Sequence, residues 1–367
     1  MTTPFPDLDT PSLLVDLDTL ERNITEMQRV ADAAHVRLRP HTKTHKCPAI
    51  ARMQLAAGAT GITVAKLGEA EVMVEAGIDD VLIAYPLVGD EKLRRLRALA
   101  ERSSVRVTTD STEVADGLAR VGRELGRNVP VLVEVDTGLH RVGRPPGEPT
   151  VRLVRELARL DGIDVVGLLT HAGHAYRSTT PEELRIVAER EGRDLVETAE
   201  RCAAQGIPLE EISVGSTPTA RIVAEVVGVT EIRPGTYVFN DVQQMRLGVA
   251  SEATCAARVL TTVVAHPTDD RFVLDAGTKA FTSDGANDPP FPGRGVVVGR
   301  PELVLDFMNE EHAVGHRTAA DDVRIGDRLE VIPLHVCSTV NMFDEAVGAR
   351  GGEPVRALAI AGRGKMR

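Results

Sequence analysis

Eight short apolar runs rich in β-branched residues recur through the first two thirds of the chain, and amphipathic segments separate most of them. The runs that predict strands cover residues 36–38, 61–65, 81–84, 105–108, 129–135, 163–169, 211–214 and 231–233. Strands that alternate with helices form parallel sheets with helical crossovers. Eight such units in roughly 220 residues predict a closed (β/α)8 barrel. An open doubly wound sheet is the alternative, but no glycine-rich dinucleotide loop follows the first strand.

The pattern changes near residue 250, where strand-like runs continue with turns between them and little helix. These runs cover residues 256–265, 271–274, 295–298, 304–307, 328–333 and 354–360. They predict a C-terminal antiparallel β domain, which a strand at residues 11–17 would complete. We therefore expect a barrel domain at residues 20–248 and a β domain formed by residues 1–19 and 249–367. The length of 367 residues also favours two domains, because it exceeds one ordinary core.

Composition excludes several classes of protein. The net charge of −11 and the lack of a basic block argue against a nucleic-acid partner. No apolar run is long enough to span a membrane, and residues 1–6 do not resemble a signal peptide. The four cysteines are scattered without CxxC spacing, which fits a reduced cytoplasm better than a disulfide framework. We therefore expect a cytoplasmic protein that acts on a small molecule.

Polar or ionisable side chains follow nearly every predicted barrel strand, among them Lys43, Lys66, Tyr85 and His171. Chemistry in a (β/α)8 barrel gathers at this end of the strands, so a nearly complete ring of such groups predicts an active site. Lys43 stands out because only six of the 43 Lys and Arg residues are lysine. Unlike arginine, lysine can lose its proton and act as a nucleophile. A solvated basic loop is the alternative interpretation of Lys43 and its neighbour Lys46.

Two strand ends have the composition of an anion-binding loop. Residues 215–217 (GST) offer hydroxyls and free backbone N–H groups ahead of a predicted helix at 219–227, and Gly235 and Thr236 offer the same after the last strand. Backbone N–H groups and a helix dipole bind phosphate well, and this fold commonly binds phosphate after strands seven and eight. Each loop alone is also compatible with an ordinary turn. Together with Lys43, the two loops predict pyridoxal 5′-phosphate (PLP), a phosphorylated aldehyde that binds to an amine.

Several segments resemble one family of PLP enzymes. Residues 136–143 (DTGLHRVG) and 233–235 (RPG) are similar to motifs of the alanine-racemase-like, fold-type III group. The closer resemblance is to the D-serine dehydratase / D-threonine aldolase family, and it covers almost the whole chain. It is carried by residues 39–46 (RPHTKTHK), 171–176 (HAGHAY), 215–218 (GSTP) and 237–241 (YVFND). The resemblance implies a PLP-binding barrel followed by a β domain, in a homodimer.

The resemblance also implies roles for the matched residues. Lys43 would form the Schiff base with PLP, Arg141 would pair with its phenolic oxygen, and His171 would lie against its ring. Arg233 would face the pyridine nitrogen. Because a guanidinium seldom gives up a proton, that nitrogen would stay unprotonated and the ring would be a weaker electron sink. The remaining implied cofactor residues are Gly215, Ser216, Thr217, Gly235 and Thr236 at the phosphate, with Tyr176 and Tyr237.

His335 and Cys337 are the candidates for a metal site, which would supply a second electrophile. They lie two residues apart on a segment read as a strand, so both side chains would share one face. An imidazole and a thiolate form a good zinc pair. His-x-Cys alone occurs by chance, and the family resemblance is what implies a catalytic divalent metal here. Zinc is the expectation, with manganese or magnesium as alternatives.

Two reactions of a β-hydroxy-D-amino acid fit these residues. In β-elimination, as in a D-serine dehydratase, Lys43 would take the α-proton and the metal would bind the β-hydroxyl, giving a 2-oxo acid and ammonia. In retro-aldol cleavage, as in a D-threonine aldolase, His171 or His174 would take the hydroxyl proton, giving glycine and an aldehyde. His-x-Cys resembles the dehydratase branch, so we expect elimination and keep the aldolase as the alternative. A metal-free racemase or PLP carrier is the third possibility.

Overall fold

The computed structural model describes residues 4–284, 291–317 and 323–367. The chain forms two compact units, each assembled from three separate segments. The β unit comprises residues 1–25, 44–49 and 236–363, and the barrel unit comprises residues 26–43, 50–235 and 364–367. Within the described ranges, no helix has the length and apolar character needed to cross a membrane.

The barrel unit is built on eight parallel strands. After β1 (Ser12–Asp16), which belongs to the β unit, its strands are β2 (Arg37–Leu38), β3 (Ile62–Val64), β4 (Asp80–Ile83), β5 (Ser104–Thr109), β6 (Val129–Glu134), β7 (Ile163–Leu169), β8 (Glu211–Val214) and β9 (Glu231–Ile232). The order in the sheet is β2-β9-β8-β7-β6-β5-β4-β3. The N–H of Thr63 donates to the carbonyl oxygen of Pro40 at 2.8 Å, and that of Thr60 to Leu38 at 2.9 Å. These bonds join β2 to β3 and close the predicted barrel.

Most helices connect consecutive barrel strands, as the sequence predicts. In chain order the helices are α1 (Leu17–Ala33), α2 (Pro48–Ala56), α3 (Leu67–Glu75), α4 (Asp90–Ala100), α5 (Thr112–Leu125), α6 (Glu148–Leu157), α7 (Pro181–Ala204), α8 (Ala220–Val223), α9 (Val242–Arg246), α10 (Thr278–Phe281) and α11 (Val336–Val340). Helix α5 shows why they form. The Ser111 hydroxyl caps its first turn by accepting the N–H of Val114, Gly126 ends it in a left-handed conformation, and its face with Leu118 is buried.

Charged side chains fill the interior of the barrel near the amino ends of its strands. The guanidinium of Arg39, only 2% exposed, donates to Glu231 at 2.9 Å and to Asp80 at 2.6 Å. Arg106 donates to Asp80 at 2.8 Å and to Glu211 at 3.1 Å. Because β5 and β8 are not neighbours in the sheet, the bond from Arg106 to Glu211 spans the interior. This ionic layer replaces the aliphatic layer that many barrels carry.

The β unit contains the remaining strands, β10 (Ala257–Ala265), β11 (Arg271–Leu274), β12 (Gly295–Val297), β13 (Val304–Met308), β14 (Ala313–His316), β15 (Arg328–Pro333), β16 (Glu345–Arg350) and β17 (Glu353–Ala359). Six of them close a small barrel in the order β11-β14-β13-β12-β15-β10, because β10 also pairs with β11. The sheet continues beyond β10 through β1, β16 and β17. The N-terminal strand therefore completes the β unit, as predicted. Strands β14 and β16 were not predicted.

The prediction that His335 and Cys337 lie on a strand is wrong. Strand β15 ends at Pro333, His335 caps the N-terminus of α11, and Cys337 lies in its first turn. The cause is the buried carboxylate of Asp241, which accepts the N–H of Val336 at 3.0 Å. That N–H is withdrawn from the sheet ladder, and the backbone turns into a helix.

Candidate active site

Lys43 lies just beyond β2, in a 3₁₀ turn at Thr42–Thr44, and its side chain is half-buried. Its N–H donates to Nδ1 of His41 at 3.4 Å. Burial and the positive charge of Lys43 hold the pKa of both His41 and His171 well below the usual value. Arg233 and Arg141 act on both imidazoles in the same direction. The barrel unit thus gathers three cations around two imidazoles that are neutral at pH 7.

A tight loop after β6 presents Arg141. At the start of this loop, one carboxylate oxygen of Asp136 accepts the N–H groups of Gly138 at 3.0 Å and of His140 at 2.9 Å. Gly143 closes the loop with a φ of +107°, and a Cβ there would lie 2.7 Å from the nitrogen of Asp136. Only glycine fits that approach. The Asp-Thr-Gly-x-x-Arg-x-Gly spacing is therefore the local geometry that holds Arg141 in place.

Glu134, at the end of β6, lies beside these cations, with its carboxylate 4.0 Å from the Arg141 guanidinium. Burial raises the pKa of Glu134 to about 7, although Arg141 and Arg233 favour its charged form. Arg233 itself donates to the Ser213 hydroxyl at 2.6 Å and to the carbonyl oxygen of Thr170 at 2.5 Å. Both acceptors are neutral, so its hydrogen bonds do not cancel its charge.

The first predicted phosphate loop differs from its expectation in two respects. The N–H of Gly215 donates to Oε1 of Glu191 at 2.9 Å, and that of Ser216 to the Thr219 hydroxyl at 3.0 Å, so neither is free. The helix that follows, α8, has only four residues instead of the predicted nine, so its dipole contributes little. The second loop keeps its donor. Gly235 is buried, and its N–H donates to no acceptor among the residues the structure describes.

The other predicted barrel residues surround these groups. Thr217 follows Ser216 in the chain and is 8% exposed. His174 and Tyr176 lie half-buried in a 3₁₀ turn at Gly173–Arg177. Burial lowers the pKa of His174, so it too is neutral at pH 7. The cluster therefore includes a third imidazole that can accept a proton.

Thr236 and Tyr237 belong to the β unit, where both are buried. The Thr236 hydroxyl lies 3.7 Å from Sγ of Cys337, and the Thr44 hydroxyl lies 3.2 Å from the same sulfur. Two threonine hydroxyls thus face this thiol. The structure places Thr236 beside the metal candidate Cys337, whereas the resemblance implied a phosphate contact.

His335 and Cys337 contact each other in the β unit, although they lie at the start of helix α11 and not on a strand. Nδ1 of His335 lies 2.9 Å from Oδ2 of Asp284, and its ring is hydrogen-bonded to the Cys337 sulfur. Burial opposes a charge on the imidazole, but the Cys337 thiolate and Asp284 outweigh it and raise the pKa of His335 to about 11. A carboxylate on Nδ1 is the usual orientation of a histidine ligand, and a metal held by His335 and Cys337 would displace the proton that the imidazole and the sulfur share.

Both predicted groups fit these residues. A reactive amine, two arginines and the unpaired buried N–H of Gly235 suit an anionic aldehyde such as PLP. Imidazole and thiolate suit zinc. In the described part of the chain no set of three or more His, Cys, Asp or Glu side chains is arranged to hold a metal. A metal here would therefore have two protein ligands, and its other positions would be open to water and substrate.

Sequence reasoning missed five residues of the two sites, namely His41, Glu134, Glu191, Asp241 and Asp284. His41 carried a detectable signal, because it lies two residues before Lys43 at the end of the first predicted barrel strand. The four carboxylates carried none, because their roles depend on which strand ends and helices meet them in the fold.

Comparison with known proteins gives the family. Residues 15–242 match the family model described as "Alanine racemase, N-terminal domain", and residues 256–349 match "Putative serine dehydratase domain". A D-threo-3-hydroxyaspartate dehydratase of Delftia sp. (strain HT23) is 38% identical over 362 residues, covering 94% of this chain and 95% of that protein. The chain belongs to the D-serine dehydratase / D-threonine aldolase family of alanine-racemase-like proteins.

Two solved structures of this family superpose on the whole chain. A D-threonine aldolase from Filomicrobium marinum has a TM-score of 0.93 at 33% identity and covers 100% of this chain and 98% of its own. A D-threo-3-hydroxyaspartate dehydratase mutant, with cysteine replaced by alanine and in the metal-free form, has a TM-score of 0.90 at 36% identity, with 98% and 99% covered. The family is one of fold-type III PLP enzymes, so membership implies PLP as the cofactor.

Proposed function

We propose that this protein is a lyase dependent on PLP and a divalent metal, and that it dehydrates β-hydroxy-D-amino acids to a 2-oxo acid and ammonia. The cluster formed by Lys43, His41, His171, Arg141 and Arg233 carries the proposal. An amine among cations and neutral imidazoles is what an anionic aldehyde cofactor requires. The family relatives, which are dehydratases and aldolases of hydroxylated D-amino acids, support the substrate class.

Each residue of the barrel cluster would have a defined task. PLP, when bound, supplies a ring that stabilises negative charge on the substrate α-carbon. Lys43 would hold the cofactor through Nζ and then take the α-proton at the same nitrogen. Arg141 would hold the phenolic oxygen, and Arg233 would face the pyridine nitrogen. The phosphate would be held by the Gly235 N–H and the hydroxyls of Ser216 and Thr217.

The β unit would supply the metal. His335 and Cys337 would hold zinc, a Lewis acid for the substrate β-hydroxyl, and Asp284 would orient the His335 imidazole. The choice of elimination rests on this His-x-Cys pair. It is supported by the relative in which a cysteine-to-alanine mutant was solved in the metal-free form.

Retro-aldol cleavage is the second candidate. The observation that favours it is the lowered pKa of His171 and His174, because a neutral imidazole can take the proton of the substrate hydroxyl. The strong superposition on a D-threonine aldolase supports it as well. Elimination breaks the bond from the α-carbon to hydrogen and retro-aldol cleavage breaks the bond from the α-carbon to the β-carbon, so the products separate the two reactions although the cofactor would stabilise a carbanion in both.

The deciding experiment incubates the PLP-loaded protein with D-serine, D-threonine and D-threo-3-hydroxyaspartate. We expect a 2-oxo acid and ammonia, and no glycine. Glycine with an aldehyde would replace the dehydratase assignment by the aldolase. K43A and K43R should both lose the borohydride-reducible cofactor linkage, since arginine keeps the charge but not the nucleophilic amine. EDTA should abolish turnover while the cofactor absorbance remains.

We also propose a cytoplasmic homodimer with zinc in the metal site. The free state of all four cysteines supports a reducing compartment, and the family resemblance supports the dimer. Light scattering coupled to size exclusion would measure the mass. A monomeric mass at micromolar concentration would contradict the dimer.

A further inference from the structure

Glu191 is a buried acid in the middle of α7, with 1% of its surface exposed. Its hydrogen bonds go to backbone N–H groups of two different strand-end loops. Oε1 accepts the N–H of Gly215 at 2.9 Å and the N–H of Ala172 at 3.3 Å. A single carboxylate oxygen therefore ties the loop after β7 to the loop after β8.

Both loops carry proposed cofactor residues directly next to these contacts. His171 immediately precedes Ala172, and Ser216 immediately follows Gly215. Gly215 has a φ of +100°, a conformation that other residues rarely adopt, so this loop depends on its backbone geometry. Strands β7 and β8 pair directly up to the bond from the N–H of Thr170 to the carbonyl oxygen of Ser213 at 3.1 Å, and Glu191 extends this connection into the loops that carry His171 and Ser216.

The surroundings of Glu191 are unusual for a structural acid. Burial raises its pKa, although the N–H of Gly215, the hydroxyl of Thr219 and the N–H of Ala172 favour the charged form. Burying an acid that is bonded to backbone N–H groups instead of a directly paired cation is costly. A fold that needed only stability would place an apolar side chain at this position of α7.

We propose that Glu191 is a positioning residue that aligns the His171 loop with the Gly215–Ser216 loop for the cofactor ring and its phosphate. The inference rests on the proposed PLP site. The cofactor spans the two loops, because its phosphate would be held at Ser216 and its ring at His171. When the tie is removed, the two loops lose their shared acceptor beyond the paired strand ends, and a ligand that bridges both loops loses affinity. A ligand that needs only one loop loses little.

The test measures the affinity of the apo protein for the cofactor, and enzyme activity is not the readout. Apo protein is titrated with PLP and, in parallel, with pyridoxal, which has the aldehyde and ring but no phosphate. The visible absorbance of the lysine-linked cofactor is the readout. We expect E191A to weaken PLP binding by about tenfold or more, as the loss of a buried hydrogen-bond acceptor predicts, and to weaken pyridoxal binding less than threefold.

Two conservative variants keep the test independent of folding. E191Q retains an acceptor oxygen at the same distance, so it should bind PLP within about threefold of wild type. E191D keeps the charge but has a side chain shorter by one methylene, so its oxygen no longer reaches the two loops. It should weaken PLP binding about as much as E191A does. E189A is the matched control on α7, because the half-buried Glu189 pairs with Arg185 and Arg193 of the same helix and not with a strand-end loop in the part of the chain that the structure describes.

Three outcomes would overturn the inference. One is an E191A or E191D protein that binds PLP like wild type. Another is an E191Q protein that binds as weakly as E191D, which would mean that an acceptor oxygen at this position is not sufficient to align the loops. The third is an equal loss for PLP and pyridoxal, together with a lower melting temperature of the apo protein, which is what a purely structural role predicts. A wild-type protein that binds no PLP would instead overturn the proposed function.

Discussion

Glu134 places a titrating acid among the cations of the barrel cluster. Burial raises its pKa to about 7 from an ordinary value near 4.5. Between these two pH values the folded protein keeps a proton that the unfolded chain has lost. The stability that this residue contributes is therefore fully present below pH 4.5 and is lost as the pH rises through 7.

The difference in the free energy of unfolding between wild type and E134Q should follow the titration of Glu134. Relative to E134Q, the free energy of unfolding of apo wild type should fall by about 3 kcal/mol between pH 4.5 and pH 8. Urea unfolding at several pH values measures it. E124Q, which changes an exposed glutamate of α5, should show no such slope. A pH-independent difference for E134Q would mean that Glu134 is ionised throughout.

At the same scale, sequence reasoning selected candidates whose chemistry is rare or whose motif is local. Lys43 was identified because lysine is scarce in the chain and lies at a strand end. Arg141 was selected because the eight residues from Asp136 to Gly143 resemble a family motif, and the structure shows that Asp136 and Gly143 shape this loop locally. Glu191 could not be identified, because its partners lie 19 and 24 residues away and meet it only when β7 and β8 stand side by side.

Helix α5 shows how closely the elements of the barrel approach one another. A Cβ on Gly122 would lie 1.7 Å from the carbonyl oxygen of Gly162, in the backbone that leads into β7. No rotamer change can relieve that contact, because both groups are main chain. Gly117, on the same helix, would meet only the end of the Leu93 side chain at 2.9 Å.

These two glycines make a matched pair of substitutions. G122A should destabilise the protein by more than about 2 kcal/mol, because the helix must shift away from the sheet. G117A should stay within about 1 kcal/mol of wild type, since Leu93 can move and alanine favours a helix. Thermal and urea unfolding of both variants measure the difference. Equal effects would show that α5 moves freely against its neighbours.

Element boundaries were predictable where periodicity and buried runs decide them, as in β7 and β8. The end of β15 was not predictable from its own residues. Asp241, which lies far from β15 in the sequence, accepts the N–H of Val336 and takes it out of the strand pairing. The predicted length of α8 was also wrong. Apolar residues continue past Val223, but the chain turns towards β9 after one helical turn.

At the scale of the whole molecule, each of the two units is discontinuous along the sequence, since it takes residues from three parts of the chain. Strand β1 illustrates the effect. It lies inside the sheet of the β unit, antiparallel to β10 and parallel to β16. The order of strands along the sequence therefore does not show where the β unit begins.

A fragment test follows from the place of β1. Residues 236–363 expressed alone should aggregate, because removal of β1 exposes the edges of β10 and β16. The same fragment with residues 4–25 joined through a flexible linker should give more soluble, folded protein. Size exclusion and far-UV circular dichroism measure both. A shorter fragment that is monomeric and melts cooperatively would show that β1 is dispensable.

The ionic layer of the barrel interior also restricts the register in which the barrel strands can pair. In a lumen of aliphatic side chains, a strand that slips by two residues still offers an apolar layer. Here a slip of β2 that carried Arg39 away from Glu231 and Asp80 would leave those carboxylates with poorer partners, such as Arg37, which lies 3.8 Å from Glu231. The native register is the one in which Arg39 bonds to both Glu231 and Asp80, and Arg106 bonds to both Asp80 and Glu211. Substitutions in this layer are consequently tolerated in pairs, and a lineage that loses one sign must lose its opposite as well.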